Sequence, residues 1–277
     1  MDWTAKTVGF FVVILVVGAL SAGAGTGSDV PPTLRLGKDL VFIEVPGGCF
    51  DMGQSEGDPD ERPVHRVRLS RFWMGRTEVT NAAFRRFRPD HHSGSYRGRS
   101  LDGDRRPAVN LSWSDAMAFA AWVTDRSGGR YQVSLPTEAQ WEWVCRKGGA
   151  GLRMPSPCAG ANVYDGDAEA VFDFPWPRFS CRDGWPVTAP VGRRRPDALG
   201  LYDLIGNVWE WCADRYRPDG YRHHGRRNPR VAGPGMSRVV RGGGWSDEPK
   251  HVGCGQRDGY WEDYRGPFVG FRLAVTD

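Results

Sequence analysis

The sequence predicts an α+β fold: one loop-rich domain of short strands with few helices. Three observations carry this. Thirty-seven glycines and twenty prolines among 277 residues are too many for a helical bundle or a doubly wound sheet. Apolar alternation, the mark of a half-buried strand, comes only in brief runs. Helical periodicity with a recognisable start is confined to a few places. Twelve Trp, thirteen Phe and eight Tyr supply the bulk for a core. No linker, repeat or low-complexity tract interrupts the body, which reads as a single domain over residues 38–277.

The first element reads as an export signal. Lys6 gives a positive start, Val8 to Leu20 is apolar and uncharged, and the small residues Ala22 and Ala24 offer cleavage sites. Residues 1–24 are therefore taken as a signal peptide. The alternative is an uncleaved anchor, since the apolar stretch is nearly long enough to span a bilayer. Either way the body is expected outside the cytoplasm, periplasmic or secreted. Residues 25–37 read as a flexible lead-in.

Leu40 to Val45 is a strand running into the Pro46-Gly47-Gly48 turn. An acidic loop, Glu56 to Glu61, follows. Val64 to Leu69 alternates and reads as a second strand, extended by Phe72 to Gly75. Thr80 can cap a short helix over Asn81 to Phe87, because its hydroxyl accepts a free amide of the first turn. Ser114 to Asp125 is a second helix with Ala116, Phe119, Ala120 and Val123 on one face. Thr137 and Gln140 form a capping box that starts a third, whose Trp141, Val144 and Cys145 share a face. Residues 147–200 read as mostly irregular. Short strands are expected around Trp209, Val239-Val240 and Phe271 to Leu273.

The formal charge of +4 is modest, and its arginines are scattered, so nucleic acid is not indicated as a partner. A phosphate-binding Gly-x-x-x-x-Gly-Lys-Ser and a Gly-x-Ser-x-Gly elbow are both absent. The body carries Cys49, Cys145, Cys158, Cys181, Cys212 and Cys254. Export permits disulfides, but six cysteines allow fifteen pairings, and buried free thiols are common.

Several short motifs stand in a definite order. They are Val45-Pro46-Gly47-Gly48, Arg62-Pro63-Val64-His65, Thr77-Glu78-Val79-Thr80-Asn81 and Leu135-Pro136-Thr137-Glu138-Ala139-Gln140-Trp141-Glu142. Gly206-Asn207-Val208-Trp209-Glu210-Trp211, Arg241-Gly242-Gly243-Gly244-Trp245 and Gly270-Phe271-Arg272 close the series. In this order they resemble the formylglycine-generating enzyme family, the sulfatase-modifying-factor domain. The resemblance implies one compact, duplicated C-type-lectin-like fold. It also implies two calcium sites, one at Asn162, Val163, Asp183 and Trp185, the other at Asp203, Gly206, Val208 and Glu210. Mixed carboxylate and carbonyl oxygens on a loop suit calcium, whereas the plainer reading is turn residues with Glu210 paired to an arginine.

The same resemblance departs from the family at its copper site. The family's oxidases hold copper through two cysteines just after the Arg-Gly-Gly turn. Here Asp247 stands at the first position, and the shortened segment to Cys254 has no second. Copper(I) selects thiolate, so copper is not expected. Cys254 matches a structural cysteine whose partner corresponds to Cys145. Ala120 and Leu273 stand where another disulfide is lost. Cys158 and Cys181, flanking an irregular loop, are taken as a second pair, with Cys49 and Cys212 free and buried. In the cleft, Trp209 and Arg257 match family residues, whereas Gly244 replaces a serine and Phe268 an asparagine. The groove candidates are thus Trp209, Asp247 and Arg257.

Relatives of this kind serve siderophore-chromophore maturation and denitrification. The expected function is an exported accessory or maturation factor for a periplasmic protein, peptide or small molecule. The alternative is a non-catalytic lectin-like module for a peptide or glycan. The membrane is a partner only if the N-terminal segment stays uncleaved.

Overall fold

The structure, a computed structural model, describes residues 31–147 and 160–276 and a two-residue strand at Leu15–Val16 (β1). The signal peptide and Cys158 lie largely or wholly outside the described residues. Strands β2 (Thr33–Leu36), β3 (Leu40–Val45), β6 (Phe72–Gly75), β9 (Gln132–Ser134) and β14 (Ala274–Thr276) join β1 in one sheet, ordered β1-β2-β3-β6-β14-β9. The lead-in is thus corrected in part. Leu34 and Leu36 alternate inward and are buried, which makes Thr33–Leu36 a strand on β3. A second sheet runs β12 (Gly253–Trp261), β11 (Ser237–Gly242), β10 (Trp209–Arg215), β13 (Val269–Gly270). Its last pair, β10 with β13, is parallel.

Two other corrections concern strands. Phe72–Gly75 does not extend β5 (His65–Leu69), which pairs with β4 (Gly48–Met52) in a small sheet of its own, as β7 (Ser95–Tyr96) does with β8 (Arg99–Ser100). The expected strand over Phe271–Leu273 is instead the connection between β13 and β14. Helix α1 is short, Asn81–Phe84, with Thr80 Oγ1 accepting from the Ala83 amide at 3.2 Å. Helix α2, Trp113–Arg126, is capped reciprocally by Ser112 and Asp115. Helix α3, Glu138–Lys147, has the expected box: the Thr137 amide donates to Gln140 Oε1 at 2.9 Å, and the Gln140 amide to Thr137 Oγ1 at 3.2 Å. One turn of helix, α4 (Gly166–Glu169), interrupts the irregular middle.

The four-stranded sheet is buried on both faces. Cys212 and Val239 face α3 with Trp141, Val144 and the Cys145–Cys254 disulfide. Trp209, Trp211, Ala213 and Val240 face α2 and the six-stranded sheet. Ala120 and Leu273 lie in this second core, both buried. A third cluster is aromatic and centres on Trp245 with Phe172, Phe174 and Tyr164.

Candidate functional site

The groove candidates Trp209 and Asp247 meet where β10 begins and β11 ends. Asn207 and Gly206 take left-handed conformations, with φ of 60° and 80°, and the Asn207 carbonyl receives the Trp245 amide at 3.0 Å. Gly243 must be glycine: its φ is +75°, and a Cβ there would lie 2.6 Å from the His251 carbonyl. This double turn sets Trp209 beside Asp247. The Trp209 indole donates to Asp247 Oδ2 at 2.8 Å, and the Gly244 amide donates to the same oxygen at 2.7 Å. A Cβ on Gly244 would sit 3.4 Å from that oxygen. That is close to ordinary contact, so the space at this position does not itself demand glycine.

Burial pushes the Asp247 carboxyl up to about 6, against the two donors that lower it, and Asp258 and Glu248 raise it further. A group titrating there is ionised at neutral pH yet close to taking a proton. Tyr260 senses Asp258 and Asp247 as well, so these three side chains share one side of the site. Sequence reasoning missed Asp258 and Tyr260. Two apart on β12, they share the face opposite to that of Arg257, and the strand's glycines and charges hide this alternation in the sequence.

Arg257 is the groove candidate that the structure moves elsewhere. It pairs in register with Arg241, and both turn toward α3. Its Nε and Nη2 donate to Glu138 at 2.6 and 2.9 Å, and its Nη1 donates to the carbonyls of Asp60 and Arg217 at 3.0 and 3.2 Å. Arg241 donates to Glu142 at 2.5 Å and to Glu138 at 3.3 Å. Although burial opposes it, the charges of Arg257 and Arg241 hold the Glu138 carboxyl down at about 2. This is a buried ionic lock behind the sheet. Residue 257 faces it because one step along a strand reverses the side chain.

The first calcium set converges. Asp183 accepts from the Val163 amide at 3.0 Å and from the Trp185 amide at 2.8 Å. Asn162 donates to the Val187 carbonyl at 2.9 Å, while its buried Oδ1 has no partner. Carboxylate oxygens of Asp165, Asp167 and Asp183 all lie within 4.8 Å of one another. Burial pushes Asp183 up to about 7, with Asp165 adding to the rise. Backbone amides already serve Asp165, and Arg182 and the Gly184 amide serve Asp167, yet converging carboxylates and an orphaned amide oxygen are the donor types that a hard cation takes. Asp165 and Asp167 were not foreseen, although both stand in the short run after Asn162.

The second set is arranged differently. Both Glu210 oxygens receive Arg272, at 2.7 and 2.6 Å, and Trp141 adds its indole at 2.9 Å. Asp203 Oδ2 accepts from the Gly192 amide at 2.6 Å. Glu78 joins them: burial and Asp203 push its carboxyl well above the usual range, and its Oε2 has no partner. Glu210 is thus paired to an arginine, as the plainer reading has it, while burial holds Glu78 and Asp203 above the usual carboxylate range, which favours their neutral forms.

The thiols are elsewhere. Cys145 and Cys254 form a disulfide, and Cys181 is also disulfide-bonded. Cys212 is free and buried, but Cys49 is free and exposed, contrary to expectation. It points outward because Phe50 and Met52, its neighbours in alternation on β4, take the inner face.

The sequence matches the sulfatase-modifying factor enzyme 1-like domain over residues 30–277. The chain belongs to this family. It is 34% identical over 281 residues to the formylglycine-generating enzyme of Streptomyces coelicolor, covering 81% of this chain and 83% of that one. It is 30% identical over 245 residues to the serine/threonine-protein kinase Pkn1 of Chlamydia trachomatis, covering 79% of this chain but only 35% of the kinase. Among solved structures, PvdO from Pseudomonas aeruginosa superposes with a TM-score of 0.72 at 26% identity, covering 86% of this chain and 94% of PvdO. The family member described here is α+β with little helix, as its sequence implied.

Proposed function

We propose that this protein is an exported accessory or maturation factor. It acts on a periplasmic protein, peptide or small molecule through the groove at Trp209 and Asp247, without forming formylglycine. One observation carries the reading. At the position that the family resemblance assigns to the first copper thiolate, an aspartate is fixed by an indole and an amide. The remaining side chains of that segment, Glu248 and His251, are oxygen and nitrogen donors, and the nearest thiol, Cys254, is spent in a disulfide. This donor set does not fit copper(I). Calcium is proposed as a structural ion, held by Asn162, Val163, Asp183 and Trp185 and by Asp203, Gly206, Val208 and Glu210. It would supply charge compensation to buried carboxylates.

The test is made in the native host. Exported proteins and small molecules from a wild-type strain and from a strain carrying Asp247→Asn are compared by mass spectrometry. A species that changes mass only in the variant supports the reading; identical profiles from a folded variant overturn it. In vitro, a Cys-x-Pro-x-Arg peptide should keep its thiol even with copper supplied, and its conversion to an aldehyde would reverse the copper conclusion.

The second reading, a non-catalytic binding module, draws on a separate cleft of about 1090 Å³ bordered by Gln54, Glu56, Arg146, Phe179 and Gln256. Such mixed polar and apolar walls suit a peptide or glycan. Unchanged profiles with retained ligand binding would favour it.

A further inference from the structure

We propose that the groove beside Asp247 receives the ammonium group of a ring-bearing ligand. This rests on the reading that the groove is the working site, and it names the ligand's chemistry.

The carboxylate is half-satisfied. Asp247 Oδ2 is held by Trp209 and Gly244 at 2.8 and 2.7 Å, which fixes the orientation of the group. Its Oδ1 receives no hydrogen bond from the described residues, so the second oxygen is left for something outside the chain. Neither holding donor carries charge. The neighbouring cations are engaged elsewhere: Lys250 sits 2.9 Å and His251 3.7 Å from Glu248, and Arg257 is locked on Glu138. Asp258 and Glu248 deepen the negative potential instead of relieving it. The carboxylate is half-buried, its free oxygen is open to solvent and no counter-charge among the described residues is in reach, so a neutral ligand that excluded water from it would be costly. A cation would relieve it.

The surroundings say what carries that cation. The Trp176 indole donates to the carbonyl of Ser246, next to Asp247, and its ring stacks on Phe174 at 4.9 Å and 6°. Trp176 is 37% exposed, so its outer edge is open. Phe268, whose carbonyl holds the Trp209 amide, packs on Tyr96 at 5.4 Å and on Trp245 at 5.4 Å. Tyr260 and Tyr264, 4.9 Å apart, stand on the side of Asp258. Aromatic faces beside one carboxylate favour a cation, because ring quadrupole and carboxylate attract the same charge. Replacing asparagine by Phe268 shifts this wall from polar to apolar, in line with a ring on the ligand.

The probes are benzylammonium and its neutral analogue, benzyl alcohol. Binding to the full chain is followed by ligand-observed NMR at about pH 7.5, where a simple amine is protonated. The wild type should prefer benzylammonium by roughly tenfold or more, the scale of one charge-assisted contact. Asp247→Asn keeps an acceptor for Trp209 and Gly244, so it should fold. It should lose the preference while its affinity for benzyl alcohol stays within about twofold. Equal affinities in the wild type, or a preserved preference in Asp247→Asn, would overturn the proposal. The two readings separate cleanly. Ammonium preference with unchanged host profiles supports the ligand class and removes the maturation role; altered profiles without preference do the reverse.

Discussion

Replacing Arg257 by methionine tests the ionic lock most directly. The substitution keeps much of the side-chain volume but removes the fork that serves Glu138 at 2.6 and 2.9 Å and the carbonyls of Asp60 and Arg217 at 3.0 and 3.2 Å. Glu138 would keep only Arg241 at 3.3 Å, its own N-terminal position on α3 and the Tyr221 hydroxyl at 3.4 Å. Removing one member of a buried pair costs about 3–5 kcal/mol, because the other charge stays buried. For a domain of this size each kcal/mol moves the melting temperature by about 2–4 °C, so a fall of roughly 6–20 °C is expected. The pH dependence gives a second check. In the native chain the Glu138 carboxyl is held at about 2, below its ordinary 4.5. Its ionic contribution is therefore fully present above 4.5 and lost as pH falls through 2. Without Arg257 that contribution shrinks, so wild type and variant should differ most above pH 4.5 and converge in stronger acid. Calorimetric scans across this range decide it. A loss below about 1 kcal/mol, or a gap independent of pH, would mean that Arg257 lies at an exposed site after all.

Other expectations follow from the same geometry. Chelation should lower the melting temperature, and added calcium restore it, since an ion bound only by the folded state stabilises by mass action; unchanged melting would remove the ion. Asp183→Asn should weaken that response, read by calorimetry with and without chelator. Replacing Cys145 and Cys254 by alanine opens a loop of sequence separation 109 and should cost about 4–5 kcal/mol on the chain-entropy account; denaturant titration showing no loss would refute it. His224 is pushed down by burial to about 4, from 6.5, so protonation favours the unfolded chain. Its contribution is present above pH 6.5 and lost as pH falls through 4, and His224→Asn should flatten the melting curve against pH in that window.

The sequence made the helix starts legible because caps are local. Thr80 and Thr137 each announce themselves within four residues, whereas Ser112, the cap of α2, was passed over for a start at Ser114. Strands were less so. Phe72–Gly75 reads as a continuation of His65–Leu69, and nothing in either run says that the chain crosses between sheets at Ser70-Arg71. The longest strand, Gly253–Trp261, was not read at all, because its glycines and charges hide the alternation. In the site, the resemblance named Trp209 and Asp247 together, and their side chains are hydrogen-bonded. The mistake over Arg257 came from treating a matched residue as a cleft residue without asking which face it takes. Asp258, one position on, points to the groove instead. Asp165 and Asp167 escaped for another reason: ligand spacing was carried over, while the crowding of carboxylates is set by the fold of the intervening loop.

The placement of β14 bears on biosynthesis. This strand is the last described element, yet it sits between β6 and β9, pairing Ala274 with both Met74 and Ser134. The six-stranded sheet cannot close until residues 274–276 have emerged, some two hundred positions after β6, and such distant pairings form slowly. A growing chain would hold its first sheet open until these residues are made, leaving the edges of β6 and β9 unpaired and exposed to wrong partners in the meantime. Trimming residues 274–276 should do more harm than losing a comparable surface loop.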